Sequence, residues 1–203
     1  MNNDSDWFVL LLGGPSGIGK TTITAQVAQR LSTPWLMVDD LRLALVRSGV
    51  QVPDSQLVGT FDAPGGLVTV AELMSPAIEV VIENHVDQRI PIVIEGDGML
   101  PSLFERESVR TRATNGRIRA VFLHEPDENA LYANMQSRQV GLYHRAHAQK
   151  NFLYGKWLKE EAERRSLPTV AARPWNTLTD RLLAVSGLLP GAQPSDTHQI
   201  TRN

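Results

Sequence analysis

Three glycines, a lysine and a threonine recur in Gly14-Pro15-Ser16-Gly17-Ile18-Gly19-Lys20-Thr21, the spacing G-x-x-x-x-G-K-[ST]. The order has a chemical meaning. Glycine at positions 14, 17 and 19 lets the backbone curl until successive N–H groups face phosphate oxygens, where a side chain would crowd the approach or resist the backbone angles. Lys20 adds a flexible point charge for the β- and γ-phosphates, and the Thr21 hydroxyl can enter a Mg²⁺ shell. The phosphate-binding set is therefore Gly14, Ser16, Gly17, Ile18, Gly19, Lys20 and Thr21, with Thr22 in the opening turn of a helix whose positive end adds to the attraction.

The flanking residues supply the context this loop requires. Trp7 to Leu12 is a continuous apolar run, as expected of a central parallel strand covered on both faces. Ile23, Val27 and Leu31 recur at helical spacing, with Ala25 and Ala28 between them, and predict a helix over 22–31. Further strands are expected at 35–38, 90–94, 118–123 and 168–172, alternating with helices, and no internal repeat interrupts them. The pattern predicts an α/β three-layer sandwich on a five-stranded parallel sheet, with a helical insertion for substrate and lid.

Ligands of such sheets bind beyond the carboxyl ends of the strands, where Asp39, Asp40, Glu95 and Asp97 fall. Phosphoryl transfer to an alcohol needs a carboxylate to accept the hydroxyl proton. Of the two adjacent aspartates one is expected as that base and the other as the cap of a helix over 41–47. Asp39 is taken as the base and Asp40 as the cap, with the reverse assignment left open by the residues alone. Arg42, one turn into that helix, is placed to meet an anionic substrate group. Glu95 and Asp97 join Thr21 as candidate metal-holding residues, the alternative being ordinary turn acids in Glu95-Gly96-Asp97-Gly98.

Between the second and third strands runs a long excursion, 41–89, broken by Gly49, Pro53, Gly59, Pro64, Gly65 and Gly66. A new helix is expected to start at Ser75-Pro76, with Ile78, Val81, Ile82 and His85 as its buried stripe. This excursion is expected to close over substrate. Arg138 and Arg145 straddle Gln139 to His144 with a glycine between them, and are expected as lid arginines that close over phosphates. Amphipathic helices are expected over 127–138 and 144–165. His144 and His147 could pair on a metal only with a third ligand, and none is in sight. Arg173 and Trp175, in the loop before a last helix over 178–185, are candidates to stack on a nucleotide base, while Trp175 could equally plug that helix against the sheet.

Composition narrows the classes. The chain has 203 residues, 20 Lys and Arg against 22 Asp and Glu, and no cysteine. One domain is expected over 1–187, with a polar, fraying tail over 188–203. A formal charge of −2 argues against extended nucleic acid as a partner. The absence of cysteine excludes disulfides, thiolate metal sites and a cysteine nucleophile. The acidic, polar start and the lack of any membrane-length apolar stretch lead to the expectation of a cytoplasmic protein without a membrane partner. Oligomeric state is not legible.

These segments together resemble the P-loop small-molecule kinases, and among them proteins similar to 2-phosphoglycerate kinase. Asp39-Asp40-Leu41-Arg42 is similar to that group's aspartate-x-hydrophobic-arginine segment, which favours Asp39 as the base. Ile92-Val93-Ile94-Glu95-Gly96 with Pro101 resembles its strand, Glu-Gly pair and later proline. The run from Arg145 through Tyr154, Leu158 and Ala162 to Pro168 resembles its arginine-bearing helix. Where the group has a histidine shortly after the Glu-Gly pair, this chain has Asp97-Gly98. The resemblance implies ATP and Mg²⁺ as cofactors, and transfer of the γ-phosphate to a hydroxyl of a small, anionic acceptor. Zeta-toxin-like and antibiotic phosphotransferase-like kinases share the same logic. A nucleotide-binding switch that hydrolyses slowly fits the loop equally well, since a phosphate grip does not define function.

Overall fold

The computed structural model describes residues 7–54, 60–138 and 145–188, apart from the side chains of Thr114 and Arg138. Five parallel strands form one sheet in the order β2-β3-β1-β4-β5. They are β1 (Val9–Gly13), β2 (Trp35–Met37), β3 (Ile92–Gly96), β4 (Ile118–His124) and β5 (Thr169–Ala171). The helices are α1 (Lys20–Arg30), α2 (Val38–Arg47), α3 (Leu67–Gln88), α4 (Glu107–Arg112), α5 (Glu128–Arg138), α6 (Arg145–Arg164) and α7 (Leu178–Val185). The last matches its expected limits.

Alternation along the strands divides the core into two layers. Val9 and Leu11 of β1 face the side covered by α3, α4 and most of α6, while Leu10 and Leu12 face α1, α5 and α7. The same division separates Ile92 and Ile94 from Val93 on β3, and Ile118, Ala120 and Phe122 from Val121 and Leu123 on β4. A strand covered on both faces has no polar side to show, which is why β1 reads as an unbroken apolar run.

Several boundaries differ from the sequence expectation, each for a physical reason. Trp7 lies outside β1: the Arg117 guanidinium sits 5.4 Å from the Trp7 ring and donates to the Trp7 carbonyl at 3.2 Å. Gly13 joins β1 instead, because only a residue without Cβ fits against the Phe122 ring. The third strand starts two residues late. Arg89 closes α3 in the left-handed region, and the Ile90 amide donates to the His85 carbonyl, so Ile90 belongs to the link. That shift carries Glu95 and Gly96 into β3, in register with Leu12 and Gly13 of β1.

Two further corrections lie in the excursion. Ser75-Pro76 does not open a helix; α3 begins at Leu67, directly after Gly66, and passes through Pro76. Proline in a helix interior removes one hydrogen bond and crowds the preceding turn. Here Leu67, Val70, Ala71, Met74, Ile78 and Ile82 bury one continuous stripe across that position, and the Ser75 hydroxyl donates to the Ala71 carbonyl. His85 is only half-buried. Asp40 does not cap α2 either. The helix starts at Val38, so Asp39 and Asp40 both lie in its first turn and no side chain caps it. Val38 is drawn inward against Gly96, where a Cβ would lie 2.5 Å from that of Val38. Acids in a first turn remain favourable through the helix dipole. The short α4 and the 3-10 turn Pro101–Glu105 before it were not anticipated.

Candidate functional site

The turn after β1 has the geometry its glycines allow. Gly14, Gly17 and Gly19 have φ of 148°, 84° and 83°, all in the region that favours glycine. Gly19 is also the N-cap of α1, and a Cβ there would overlap the Trp175 ring. The first turn of α1 has neither a side-chain cap nor an acidic residue, which leaves its amide groups for an external anion. Lys20 is 8% exposed, and its ammonium donates to the Pro15 carbonyl at 2.9 Å.

A cavity of about 460 Å³ opens over this turn. On the loop side it is lined by Ser16, Gly17, Gly19, Lys20 and Thr21, and on the other by Met37, Asp39, Glu95, Gly96 and Asp97. Strand register explains the meeting, since β3 lies beside β1 and β2 beside β3. The Thr21 hydroxyl donates to Glu95 Oε1 at 2.9 Å, joining residues 74 positions apart. Asp39 reaches the cavity from the first turn of α2 with its side chain 65% exposed, and Arg42 lies on it at 3.4 Å. Asp40 is exposed and does not line the cavity.

Three carboxylates around one ammonium set the electrostatics. Burial raises Glu95 above the ordinary glutamate value; Lys20 and the Thr21 hydrogen bond oppose this, and Asp97 and Asp39 add to it. Asp97 is raised by desolvation, with Lys20 and Arg42 opposing and Asp39 reinforcing. Both carboxyls thus hold a proton more tightly in the folded chain than in the unfolded one. Their ionisation favours the unfolded state, so stability falls as pH rises from about 4.5, the ordinary glutamate value, through the raised folded value. In metal-free protein, Glu95→Gln should therefore gain in unfolding temperature over the parent as pH rises through that window. A difference that stays constant with pH would contradict the raised Glu95.

Thr21, Glu95 and Asp97 offer hard oxygen donors of the kind Mg²⁺ prefers. Among the described residues no group of three or more His, Cys, Asp or Glu could enclose a metal ion by itself. The donor set fits an ion that keeps water and takes oxygens from a bound phosphate rather than one in an all-protein cage.

α6 supports both rims of the cavity. Asn151 Oδ1 accepts the Ser16 amide at 3.2 Å, Gly155 packs against Pro15, and the Tyr154 hydroxyl donates to the Asp97 carbonyl at 2.6 Å. Tyr154 is fully buried, stacked on Trp157 and tilted against Phe61. These contacts were missed in the sequence, although a polar residue inside the apolar stripe Ala148, Tyr154, Leu158, Ala162 was a usable signal. Tyr154→Phe strands the Asp97 carbonyl and is expected to cost about 1–3 kcal/mol in denaturant unfolding; a loss below about 0.3 kcal/mol would contradict the bond.

Arg145, Arg173 and Trp175 are not among the described residues that line the cavity. Arg145 Nη1 donates to Asn129 Oδ1 at 2.8 Å and the guanidinium sits 4.8 Å from the Tyr132 ring, so it is held on α5. Arg138 ends α5 with its side chain outside the described residues, as is the whole segment 139–144, including His144. Arg173 pairs with buried Glu125 at 3.1 Å and reaches Asn134. Trp175 lies against Gly19 and against the core beneath α7, so it plugs the helix and borders the phosphate loop at once.

No family model matches the chain, and no curated protein matches it in sequence. Solved structures do resemble it. A gluconokinase from Sinorhizobium meliloti 1021 is 20% identical with a TM-score of 0.58, over 89% of this chain and 91% of that one. A sugar kinase from Janibacter sp. HTCC2649 is 16% identical with a TM-score of 0.57, over 93% and 99%. Shikimate kinase from Acinetobacter baumannii in complex with shikimate is 19% identical with a TM-score of 0.50, over 88% and 92%. At these identities the likeness establishes the fold, an α/β P-loop sandwich on a five-stranded parallel sheet. Among the described residues no helix is long and apolar enough to cross a membrane.

Proposed function

We propose that this chain is a small-molecule kinase, moving the γ-phosphoryl group of ATP to a hydroxyl of a small, anionic acceptor. The observation that carries the reading is the gathering of Lys20, the Thr21–Glu95 pair and the open carboxylate of Asp39 around one cavity of about 460 Å³. That volume suits a small ligand rather than a macromolecule.

In this reading the glycine turn and the first turn of α1 hold the β- and γ-phosphates, and Lys20 leaves the Pro15 carbonyl to neutralise charge on the transferred group. Thr21, Glu95 and Asp97 would hold Mg²⁺, which supplies positive charge against the phosphate oxygens. Asp39 accepts the proton of the acceptor hydroxyl as its oxygen bonds to the γ-phosphorus, while the bond to the β–γ bridging oxygen breaks and ADP departs. Arg42 holds Asp39 in place and meets the acceptor's negative charge. Arg138 and Arg145 act as lid residues, Arg145 leaving Asn129 and Tyr132 when it closes. Arg173 and Trp175 border the nucleotide base. An acceptor of the phosphorylated hydroxy-acid class fits the resemblance to 2-phosphoglycerate kinase-like proteins.

The test is ADP formation by the purified protein with Mg²⁺ and ATP across phosphorylated hydroxy acids, sugars, nucleosides and aminoglycoside or phenicol antibiotics. Turnover that rises with one acceptor class is expected. ATP binding without stimulation by any acceptor would contradict the kinase reading.

A further inference from the structure

The Pro15–Ser16 peptide group is held from both ends. Its carbonyl accepts the Lys20 ammonium at 2.9 Å, and its N–H donates to Asn151 Oδ1 at 3.2 Å. In a trans peptide these two groups point in opposite directions, so an acceptor fixed on the N–H side sets the direction of the carbonyl. Asn151 is well suited to fix it. It is fully buried, and its Nδ2 donates to the His147 carbonyl at 2.9 Å, one turn back on α6. An amide nitrogen cannot accept and a carbonyl cannot donate, so the two partners permit a single orientation of the carboxamide. Gly155, one turn further along, closes the third side: a Cβ there would lie 2.8 Å from Pro15 Cγ.

We infer that Asn151 is a positioning residue for Lys20, acting through the Pro15–Ser16 peptide group. The inference rests on the phosphate-gripping role proposed for Lys20. Asn151 does not line the cavity, whereas Ser16 and Lys20 do. α6 begins at Arg145, so the helix that carries this proposed lid residue also sets the resting place of the ammonium.

The test compares the parent chain with Asn151→Leu and Asn151→Asp by hydrogen exchange at the Ser16 amide and by calorimetric affinity for ATP with Mg²⁺. Both measurements are repeated in the Lys20→Ala background. Asn151→Leu should speed Ser16 exchange and weaken ATP binding, each by about tenfold. Asn151→Asp keeps the acceptor oxygen and should keep Ser16 protected. With Lys20 replaced, Asn151→Leu should weaken ATP no further, which is the sign of an effect passing through Lys20. Unchanged exchange or unchanged affinity in Asn151→Leu would overturn the inference, as would an equal affinity loss in both backgrounds. Should Asn151→Leu fail to fold, Asn151→Ser, which shortens the reach to Ser16, is read in the same way. None of these readouts uses turnover, so a chain that binds ATP through Lys20 and transfers nothing would sink the proposed function and leave this inference standing. A chain that binds no ATP would overturn both.

Discussion

Lys20→Ala is expected to lower acceptor phosphorylation by at least about 10³-fold while the folded chain persists. Among the described residues that line the cavity, the ammonium is the only cation, and it faces Glu95, Asp97 and Asp39. Truncation removes the charge that would meet the phosphoryl group and frees the carboxylates from their nearest counter-charge, so both effects oppose a polyanionic ligand. The fold should survive. Lys20 is not a member of either hydrophobic core layer, and its ammonium bonds the Pro15 carbonyl of the loop rather than a core element. Circular dichroism and thermal unfolding check the second half of the expectation. Turnover within about tenfold of the parent would remove Lys20 from the mechanism.

Asp39→Asn is expected to lose about 10²-fold or more in kcat with ATP affinity little changed, because a base acts on the acceptor and not on the nucleotide. The substitution keeps the shape and removes only the proton-accepting charge. Its neighbour supplies the internal control: Asp40 shares the first turn of α2 but does not line the cavity. Asp40→Asn should leave kcat within about threefold. Equal losses from the two variants, or a larger one from Asp40→Asn, would mean that the base has been misassigned. A loss confined to KM for the acceptor would instead make Asp39 a binding residue.

What the sequence could reveal follows from how far apart the cooperating residues lie. The phosphate loop was legible because its chemistry is local: residues 14–21 carry both the backbone freedom and the charge. Asp39, Glu95 and Asp97 were legible because a parallel sheet sends its strand ends to one side. The direct bond from Thr21 to Glu95 was not, since it depends on the register between β1 and β3, which the apolar pattern of each strand taken alone does not convey. Pro76 hid the first turns of α3, because a proline reads as a start while a continuous buried stripe can override it. The contacts of Asn151 and Tyr154 span 135 and 57 positions and depend on how α6 crosses the sheet, which periodicity along one helix cannot convey. The resting partners of Arg145 were hidden for the same reason: Asn129 and Tyr132 lie 16 and 13 positions back on α5, and they hold the guanidinium there.

The central claim is that the γ-phosphoryl group leaves ATP for a hydroxyl on a small molecule. Phosphorus NMR of the complete reaction, with protein, Mg²⁺, ATP and the acceptor that most stimulates ADP formation, follows that group directly. The account predicts a new phosphomonoester signal that grows in step with ADP and is absent with Lys20→Ala. ADP accompanied by inorganic phosphate alone, with no phosphomonoester from any acceptor, would contradict it.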